Sequence, residues 1–267
     1  MKKLIKKLAF TLLPDRLLHV VRKVHYARKL RSISENDEDD IKVVKHLVKP
    51  GSCAVDIGAN FGVYTKFLSE LVGPAGRVYS IEPMPPTFDI LRSCVGKLGL
   101  KNVEAVNAAI SDSDGTMTME VPRHQAGGED FYGARIITGG DGGTSLRHAT
   151  VAARSLDSMF AAVGTIAFIK CDVEGHELPC IRGASAIIDR CRPMWLVEIM
   201  GDPDQPGSDA AKTFDQLGWH GYEAWWFDGQ TLRKRRKGER NDNYFFLTAE
   251  HLRGLQAQKF PVRDCDA

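Results

Sequence analysis

The chain has 267 residues, 43% of them hydrophobic and 26% charged, with a net charge of +2. That length and composition suit one α/β domain with a sizeable core plus an appendage, and exclude a disordered polyelectrolyte. No apolar run approaches the roughly 20 residues needed to span a bilayer, and the six cysteines (53, 94, 171, 180, 191 and 265) show no C-x-x-C or Cys/His pairing, which argues against a disulfide scaffold or zinc cluster and for a reducing, cytoplasmic compartment.

The charge is unevenly spread. Residues 1–31 hold ten Lys/Arg and one acid, Asp15, for +9, which leaves −7 on the remainder. In Lys2–Leu13, helical periodicity puts Leu4, Ile5, Leu8, Ala9 and Leu12 on one side and Lys2, Lys3, Lys6 and Lys7 on the other; Pro14 ends that helix. A second apolar stripe, Leu17, Val20, Val21 and Val24, runs through another basic segment to Arg31. The apolar stretch is short and lacks a small-residue cleavage site, against a secretory signal. A basic amphipathic helix of this kind is the pattern of a segment lying on an anionic membrane surface, here the inner face of the cell membrane. Packing on the domain and contact with nucleic acid are the alternatives. The acidic run Glu35, Asp37, Glu38, Asp39, Asp40 reads as a solvated linker. The expected division is therefore an appendage and linker over 1–40, a domain over 41–250 with an insert at 116–154, and a tail over 251–267.

From Cys53 onward strand and helix patterns alternate, predicting βαβ units and a mostly parallel sheet. Strands are expected at Cys53–Ile57, Arg77–Ile81, Val103–Ala109, Ile166–Lys170, Trp195–Ile199, Tyr222–Phe227 and Asn243–Leu247, and helices at Val63–Leu71, Phe88–Leu98, Leu178–Ile188 and Ala210–Leu217. The last two strands leave no room for a crossover helix and should pair antiparallel at the sheet edge. Between them, Arg233 to Lys237 either grips phosphates or lipid headgroups or protects the edge. The segment between Met117 and Ala153 departs from the alternation: strand-like Thr116–Val121 and Thr150–Arg154 flank a glycine-rich stretch carrying His124, Tyr132, Arg135 and His148. It is long enough for a lid or binding loop; an unstructured connector without function is the competing view.

Two clusters carry chemistry. Val55-Asp56-Ile57-Gly58-Ala59-Asn60-Phe61-Gly62 reads as a buried strand opening into a glycine turn and a helix, where α/β sheets bind ligands. The spacing Gly58-x-x-x-Gly62 differs from the dinucleotide fingerprint G-x-G-x-x-G, so no pyrophosphate cradle is evident. The next strand ends in Glu82-Pro83, where an acid can bind ribose hydroxyls. A nucleoside without a diphosphate fits both facts, and S-adenosylmethionine is such a molecule: Asp56 and the Gly58/Gly62 turn would face its amino-acid end and Glu82 its ribose. Ordinary turn glycines in a sheet protein without a ligand are the bland alternative.

The second cluster is Lys170-Cys171-Asp172-Val173-Glu174-Gly175-His176-Glu177 at the end of the fourth strand, joined by Glu198 at the end of the fifth. Alternation sends Lys170 and Asp172 to one face, and Gly175 permits a sharp turn into the next helix. Methyl transfer to an alcohol needs an oriented acceptor and a route for its proton: a carboxylate or histidine base, or a divalent cation. Asp172, Glu174, His176 and Glu198 are the candidate catalytic groups, with Lys170 holding Asp172 ionised or orienting the acceptor; a metal, if used, would be bound by Asp172 and Glu198. His176 and Glu177 as caps of the following helix are the structural alternative.

The motifs V-D-I-G-A-N-x-G-x-Y-T (Val55–Thr65), Ile81-Glu82-Pro83, Asn107-x-Ala109-Ile110-Ser111, Ser155-Leu156-Asp157-Ser158, Ile169-Lys170-x-Asp172-Val173-Glu174-Gly175-x-Glu177, Val197-Glu198-Ile199 and Asn243-Tyr244-x-Phe246 resemble the FkbM family of S-adenosylmethionine-dependent methyltransferases over residues 50–248. The resemblance implies a Rossmann-like class I sheet of order 3-2-1-4-5-7-6. It also implies O-methylation, in relatives acting on polyketides and on sugars of bacterial glycolipids or polysaccharides. Carried over by position, Asp56, Gly58, Asn60, Gly62 and Glu82 would hold the cofactor, with Asn107 near the adenine, and Lys170, Asp172 and Glu174 at the reaction centre. The basic N-terminus and the glycine-rich insert lie outside the shared pattern. The expected activity is methylation of a sugar-containing or lipid-linked acceptor at the membrane surface; RNA ribose methylation and a catalytically inactive cofactor-binding scaffold are the alternatives. The −7 charge of the remainder speaks against a nucleic-acid partner.

Overall fold

A computed structural model describes residues 15–121, 135–136 and 147–264. The Lys2–Leu13 helix and the segment holding His124 and Tyr132 fall outside the described residues. In chain order the elements are α1 (Asp15–Ser32), α2 (Ile41–Leu47), β1 (Cys53–Ile57), α3 (Val63–Val72), β2 (Arg77–Ile81), α4 (Pro85–Leu98), β3 (Val103–Val106), β4 (Ala109–Ile110), β5 (Gly115–Val121), β6 (Arg135–Ile136), β7 (Arg147–Arg154), α5 (Leu156–Met159), β8 (Phe168–Cys171), α6 (Glu177–Arg182), α7 (Ser185–Cys191), β9 (Met194–Glu198), α8 (Asp209–Trp219), β10 (Glu223–Phe227), β11 (Leu232–Lys234), β12 (Asn243–Leu247), α9 (Ala249–Ala257) and β13 (Val262–Arg263).

The main sheet runs β13-β11-β10-β12-β9-β8-β1-β2-β3. Its seven predicted strands take the order 3-2-1-4-5-7-6, parallel from β3 to β9, with β12 antiparallel to both β9 and β10. Two short strands unforeseen in the sequence extend it. β11 pairs antiparallel with β10 across the Asp228–Gly229 turn, and β13 then adds in parallel, so the β10/β12 pair is not the outermost. Arg233, Lys234 and Arg235 here pair with Asp228, with Glu223 and Asp264, and with Asp204. Such pairs brace the edge rather than present free cations, though each is worth little energetically.

Alternation along the strands builds two apolar layers. Ala54, Val78, Phe168, Leu196, Trp225 and Phe245 face α2, α3 and α9, meeting Val43, Val44, Tyr64, Phe67, Leu68 and Leu255. Val55, Ile57, Ile81, Ile169, Trp195, Val197 and Phe246 face the helices that carry Leu156, Cys180, Ile181, Ile188 and Leu217. The expected helix Leu178–Ile188 is broken into α6 and α7 at Gly183–Ala184, and α7 is held by Asp157, whose two carboxylate oxygens accept the N–H groups of Ala186 and Ile187 at 2.9 Å each.

The predicted third strand, Val103–Ala109, also divides. Val103–Val106 stays in the main sheet, while Ala109 and Ile110 turn into a second sheet of order β4-β7-β5-β6. β5 and β7, the strands expected to flank the insert, pair antiparallel over Gly115–Val121 and Arg147–Ala153. Met119, Val121 and Val151 of this small sheet pack on Met84 and Ala109, beside the tip of β2.

The N-terminal helix α1 lies against α4. Ala27 and Leu30 pack on Ile90 and Cys94, and Asp89 accepts from Lys23 (2.5 Å) and His19 (2.7 Å), bonds that hold its carboxyl down at about 2. Leu17, Val20, Val21 and Val24 remain on the outer surface, Val20 and Val21 being 54% and 49% exposed.

Candidate active site

The strand tips of β1, β2 and β8 frame an open cleft lined by Gly58, Asn60, Glu82, Pro83, Met84, Thr87, Ala109, Met119, Asp172, Val173 and Glu174. Gly58 is where β1 and β8 converge. A Cβ on Gly58 would lie 1.7 Å from the carbonyl oxygen of Asp172, and its φ of +73° is left-handed, so any side chain there is excluded twice over. Gly62, at φ +102°, starts α3 in the same unfavourable region.

Glu82 has its carboxylate fixed by backbone donors: the N–H of Asn60 reaches Oε2 and the N–H of Met84 reaches Oε1, both at 3.0 Å. The group is 6% exposed, and burial pushes it up to about 7 against the opposing pull of those two bonds. Each oxygen keeps a further lone pair toward the cleft, the acceptor pattern a ribose diol needs. Asn60 sits at φ +52° with its Oδ1 buried and without a hydrogen-bond partner; a buried polar atom left open in a cleft wall is an acceptor for a ligand. The fixed acid, the orphaned amide oxygen and the crowded glycine turn fit S-adenosylmethionine.

Two of the residues carried over for the cofactor stand behind this wall instead of in it. Asp56 is 1% exposed, and its Oδ2 accepts from Thr65 Oγ1 at 2.6 Å, while that threonine oxygen lies 2.9 Å from Ser80 Oγ. Asn107 donates from Nδ2 to the carbonyls of Glu82 (2.8 Å) and Pro83 (2.9 Å), and so shapes the turn that presents Glu82. Neither lines the cleft.

On the other side of the cleft Asp172 Oδ2 accepts from Lys170 Nζ at 2.6 Å. Lys170 is 4% exposed; burial works against its charge, but Asp172, Asp56 and Glu198 outweigh it and raise its pKa, so the ammonium persists. Its Nζ also stands 4.8 Å from the centre of the Tyr64 ring. Glu198 is pushed up to about 7 by burial, then by the charge of Asp172 and a hydrogen bond with it. Glu198 therefore keeps its proton up to near neutrality beside Asp172. Glu174, exposed and at φ +52°, lines the same cleft.

His176 is withdrawn from the chemistry. It is buried and bonded through Nε2 to Ser111 Oγ at 3.0 Å, tying the start of α6 to the end of β4, and burial lowers its pKa. Glu177 accepts the Gly175 N–H at 2.8 Å and stabilises the turn, burial pushing it up to about 7. Among the described residues no group of three or more His, Cys, Asp or Glu is arranged to hold a metal ion. The linker acids Glu38 and Asp40 are half-buried, as the sequence pattern had not foretold, and burial raises both, Asp40 to about 6.

A sheet parallel from β3 to β9 and reversed at β12, a ribose-type acid at the tip of β2 and an ion-paired carboxylate at the tip of β8 define a class I S-adenosylmethionine-dependent methyltransferase. Residues 56–224 match the methyltransferase FkbM domain, and the chain belongs to that family. Local stretches are similar to curated enzymes: the protein-L-isoaspartate O-methyltransferase of Aeropyrum pernix is 32% identical over 77 residues, 29% of each chain. Ribosomal RNA large subunit methyltransferase E of Wigglesworthia glossinidia brevipalpis is 29% identical over 87 residues, 31% of this chain and 43% of that one. The chain thus spans less than half the length of these relatives. Among solved structures, methyltransferase FkbM from Methylobacillus flagellatus KT aligns with a TM-score of 0.46 at 14% identity, over 85% of this chain and 60% of that chain.

Proposed function

We propose that this enzyme methylates a hydroxyl of a sugar, in a glycolipid, polysaccharide or related natural product, at the cytoplasmic surface of the membrane. The observation that carries the reading is Asp172, a carboxylate lining the donor cleft and held at 2.6 Å by a buried lysine. When bound, the sulfonium cofactor supplies an electrophilic methyl group. The protein must present an alcohol in line with it and receive the alcohol's proton as the new C–O bond forms. Asp172 lies at the junction of donor cleft and acid cluster, oriented by Lys170, and its shared hydrogen bond with Glu198 gives the proton a second carboxyl to occupy. Glu174 and Glu198 offer acceptors for neighbouring hydroxyls of a polyol.

These carboxylates disfavour a phosphate-rich acceptor, whose charge they would repel. That weighs against RNA ribose methylation, despite the local similarity to an RNA methyltransferase. The intact Lys170–Asp172 pair and the ready cleft weigh against an inactive scaffold. The membrane side of the reading draws on α1: its stripe Leu17, Val20, Val21 and Val24 faces solvent beside exposed His25, Arg28 and Lys29, the surface of an interfacial helix. No helix among the described residues is long and apolar enough to cross a membrane.

Mass spectrometry of cell-envelope glycans with and without this protein should reveal a glycan heavier by one CH2 unit only when it is present; identical glycan profiles would refute the sugar acceptor. For the membrane, Val20→Glu with Val21→Glu should abolish binding to anionic vesicles at unchanged melting temperature, since both side chains are exposed. Undiminished binding would refute that part.

A further inference from the structure

The donor turn has two sides. One faces the cleft, where Asn60 and Gly62 stand at φ +52° and +102° and the Asn60 N–H aims Glu82. Left-handed backbone at a residue other than glycine is unfavourable on its own, and it persists where the surroundings hold it. The main chain holds the two ends of the turn: the N–H groups of Gly58 and Ala59 both donate to the Ile81 carbonyl at 3.0 Å, and that of Gly62 to the Ala59 carbonyl at 2.8 Å. Phe61, between the two left-handed residues, does not line the cleft; its ring lies against α1.

The contact is built on one face of that helix. Lys23, Tyr26, Ala27 and Leu30 recur at helical spacing. Lys23 pairs with Asp89, Ala27 and Leu30 pack with Ile90 and Cys94, and Tyr26 stacks on Phe61 with ring centroids 4.5 Å apart and planes inclined at 30°. Lys29 adds its ammonium over the same ring, Nζ standing 4.9 Å from the centroid. Both contacts attract, ring to ring and cation to ring face. At the end of α1, Arg31 donates to the Lys97 carbonyl at 2.7 Å, and Lys66 of α3 donates to the Ile33 carbonyl at 3.1 Å. The helix is thus fastened to α3 and α4, the two helices that follow the donor strands β1 and β2, and meets Phe61 just ahead of α3. The exposed stripe Leu17, Val20, Val21 and Val24 is a separate set of positions. Phe61 fills the open position of the shared glycine motif, and α1 precedes the residues 56–224 that match the family domain, so the contact lies outside the shared pattern.

We propose that Tyr26 and Lys29 are positioning residues for the donor, acting through Phe61: they hold the Asn60–Gly62 turn in its left-handed form, so the donor wall is complete only while α1 is seated. A turn formed before the ligand arrives spares the ligand the cost of ordering it. Releasing Phe61 lowers donor affinity in proportion to the time the turn spends out of shape.

The test is calorimetric titration of the full chain with S-adenosylmethionine, without acceptor, beside hydrogen exchange of the ligand-free protein. Tyr26→Ala removes a half-buried ring and should weaken S-adenosylmethionine binding by about fivefold or more. The Asn60 amide should exchange faster in that variant. Tyr26→Phe keeps the ring and should bind as the parent does, while Lys29→Gln should weaken binding by about two- to threefold. Unchanged affinity in Tyr26→Ala, or a Tyr26→Phe variant as weak as Tyr26→Ala, would overturn the proposal. If Tyr26→Ala does not fold, the parent decides: coupling between α1 and the donor is reciprocal, so saturating S-adenosylmethionine should slow exchange across residues 23–32. Exchange there that ignores the donor would overturn the proposal. Neither acceptor nor membrane enters these measurements, so they stand apart from the outcome of the glycan and vesicle experiments.

Discussion

The two sides of the cleft are made of different materials. On the donor side, at the tips of β1 and β2, the backbone does most of the shaping: two left-handed glycines, a left-handed Asn60, and two N–H groups that aim Glu82. On the acceptor side, at the tips of β8, β9 and β12, the shape comes from ionisable side chains that set one another's charge, with Lys170 at the centre. A site built from backbone fails all at once when a Cβ is added. One built from charges responds by degrees, and with pH.

That contrast is sharpest at Gly58. Gly58→Ala has to part β1 from β8, and the expected result is loss of measurable donor binding by calorimetry together with roughly 3 kcal/mol or more of stability, read from denaturant unfolding. Next come the two carboxylates that face each other across the cleft. Asp172→Asn should lower kcat by about 10²–10⁴ while donor affinity changes little, whereas Glu82→Gln should weaken donor binding by about tenfold or more and leave the acceptor KM unchanged. Equal effects of the two variants on donor affinity would erase the division into halves.

The smallest effect concerns stability. Glu177 ionises at about 7 in the folded protein, above its ordinary 4.5, so the folded state binds the proton more tightly than the unfolded one. Its contribution is therefore intact at acid pH and is lost as pH rises from about 4.5 through about 7. Glu177→Gln retains the acceptor for the Gly175 N–H and removes the titration. The fall in stability between pH 5 and pH 8 should shrink, by at most roughly 3 kcal/mol. An unaltered pH dependence would mean that the burial of Glu177 has little hold on its ionisation.

How much of this was legible beforehand follows the same division. The run from Val55 to Gly62 announces a strand, a glycine turn and a helix, because left-handed turns and tight strand contacts admit few residues. Glu82 follows one strand later at its expected place. The acid cluster after Lys170 was also visible, but the roles inside it were not. His176 and Asp172 look alike as candidate bases in sequence; the turn at Glu174–Gly175 sends the imidazole inward to Ser111 and leaves the carboxylate at the cleft. Asp56 and Asn107, which motif position assigned to the cofactor, support the cofactor wall from behind. Asp40 carried no signal at all, since an acid in a run of acids reads as solvated until something buries it.

By itself the sequence determined the class of fold and the donor half of the site, since hydrophobic alternation and obligatory glycines are local rules expressed within a few residues. Only the tertiary structure decided the small sheet beside the cleft, the inward turn of His176 and the meeting of Lys170 and Asp172 with Glu198. Those depend on strand order and register, which bring together residues as far apart as 111 and 176. A carboxylate's proton affinity is fixed by the charges and solvent around it, and these exist only once the chain has folded.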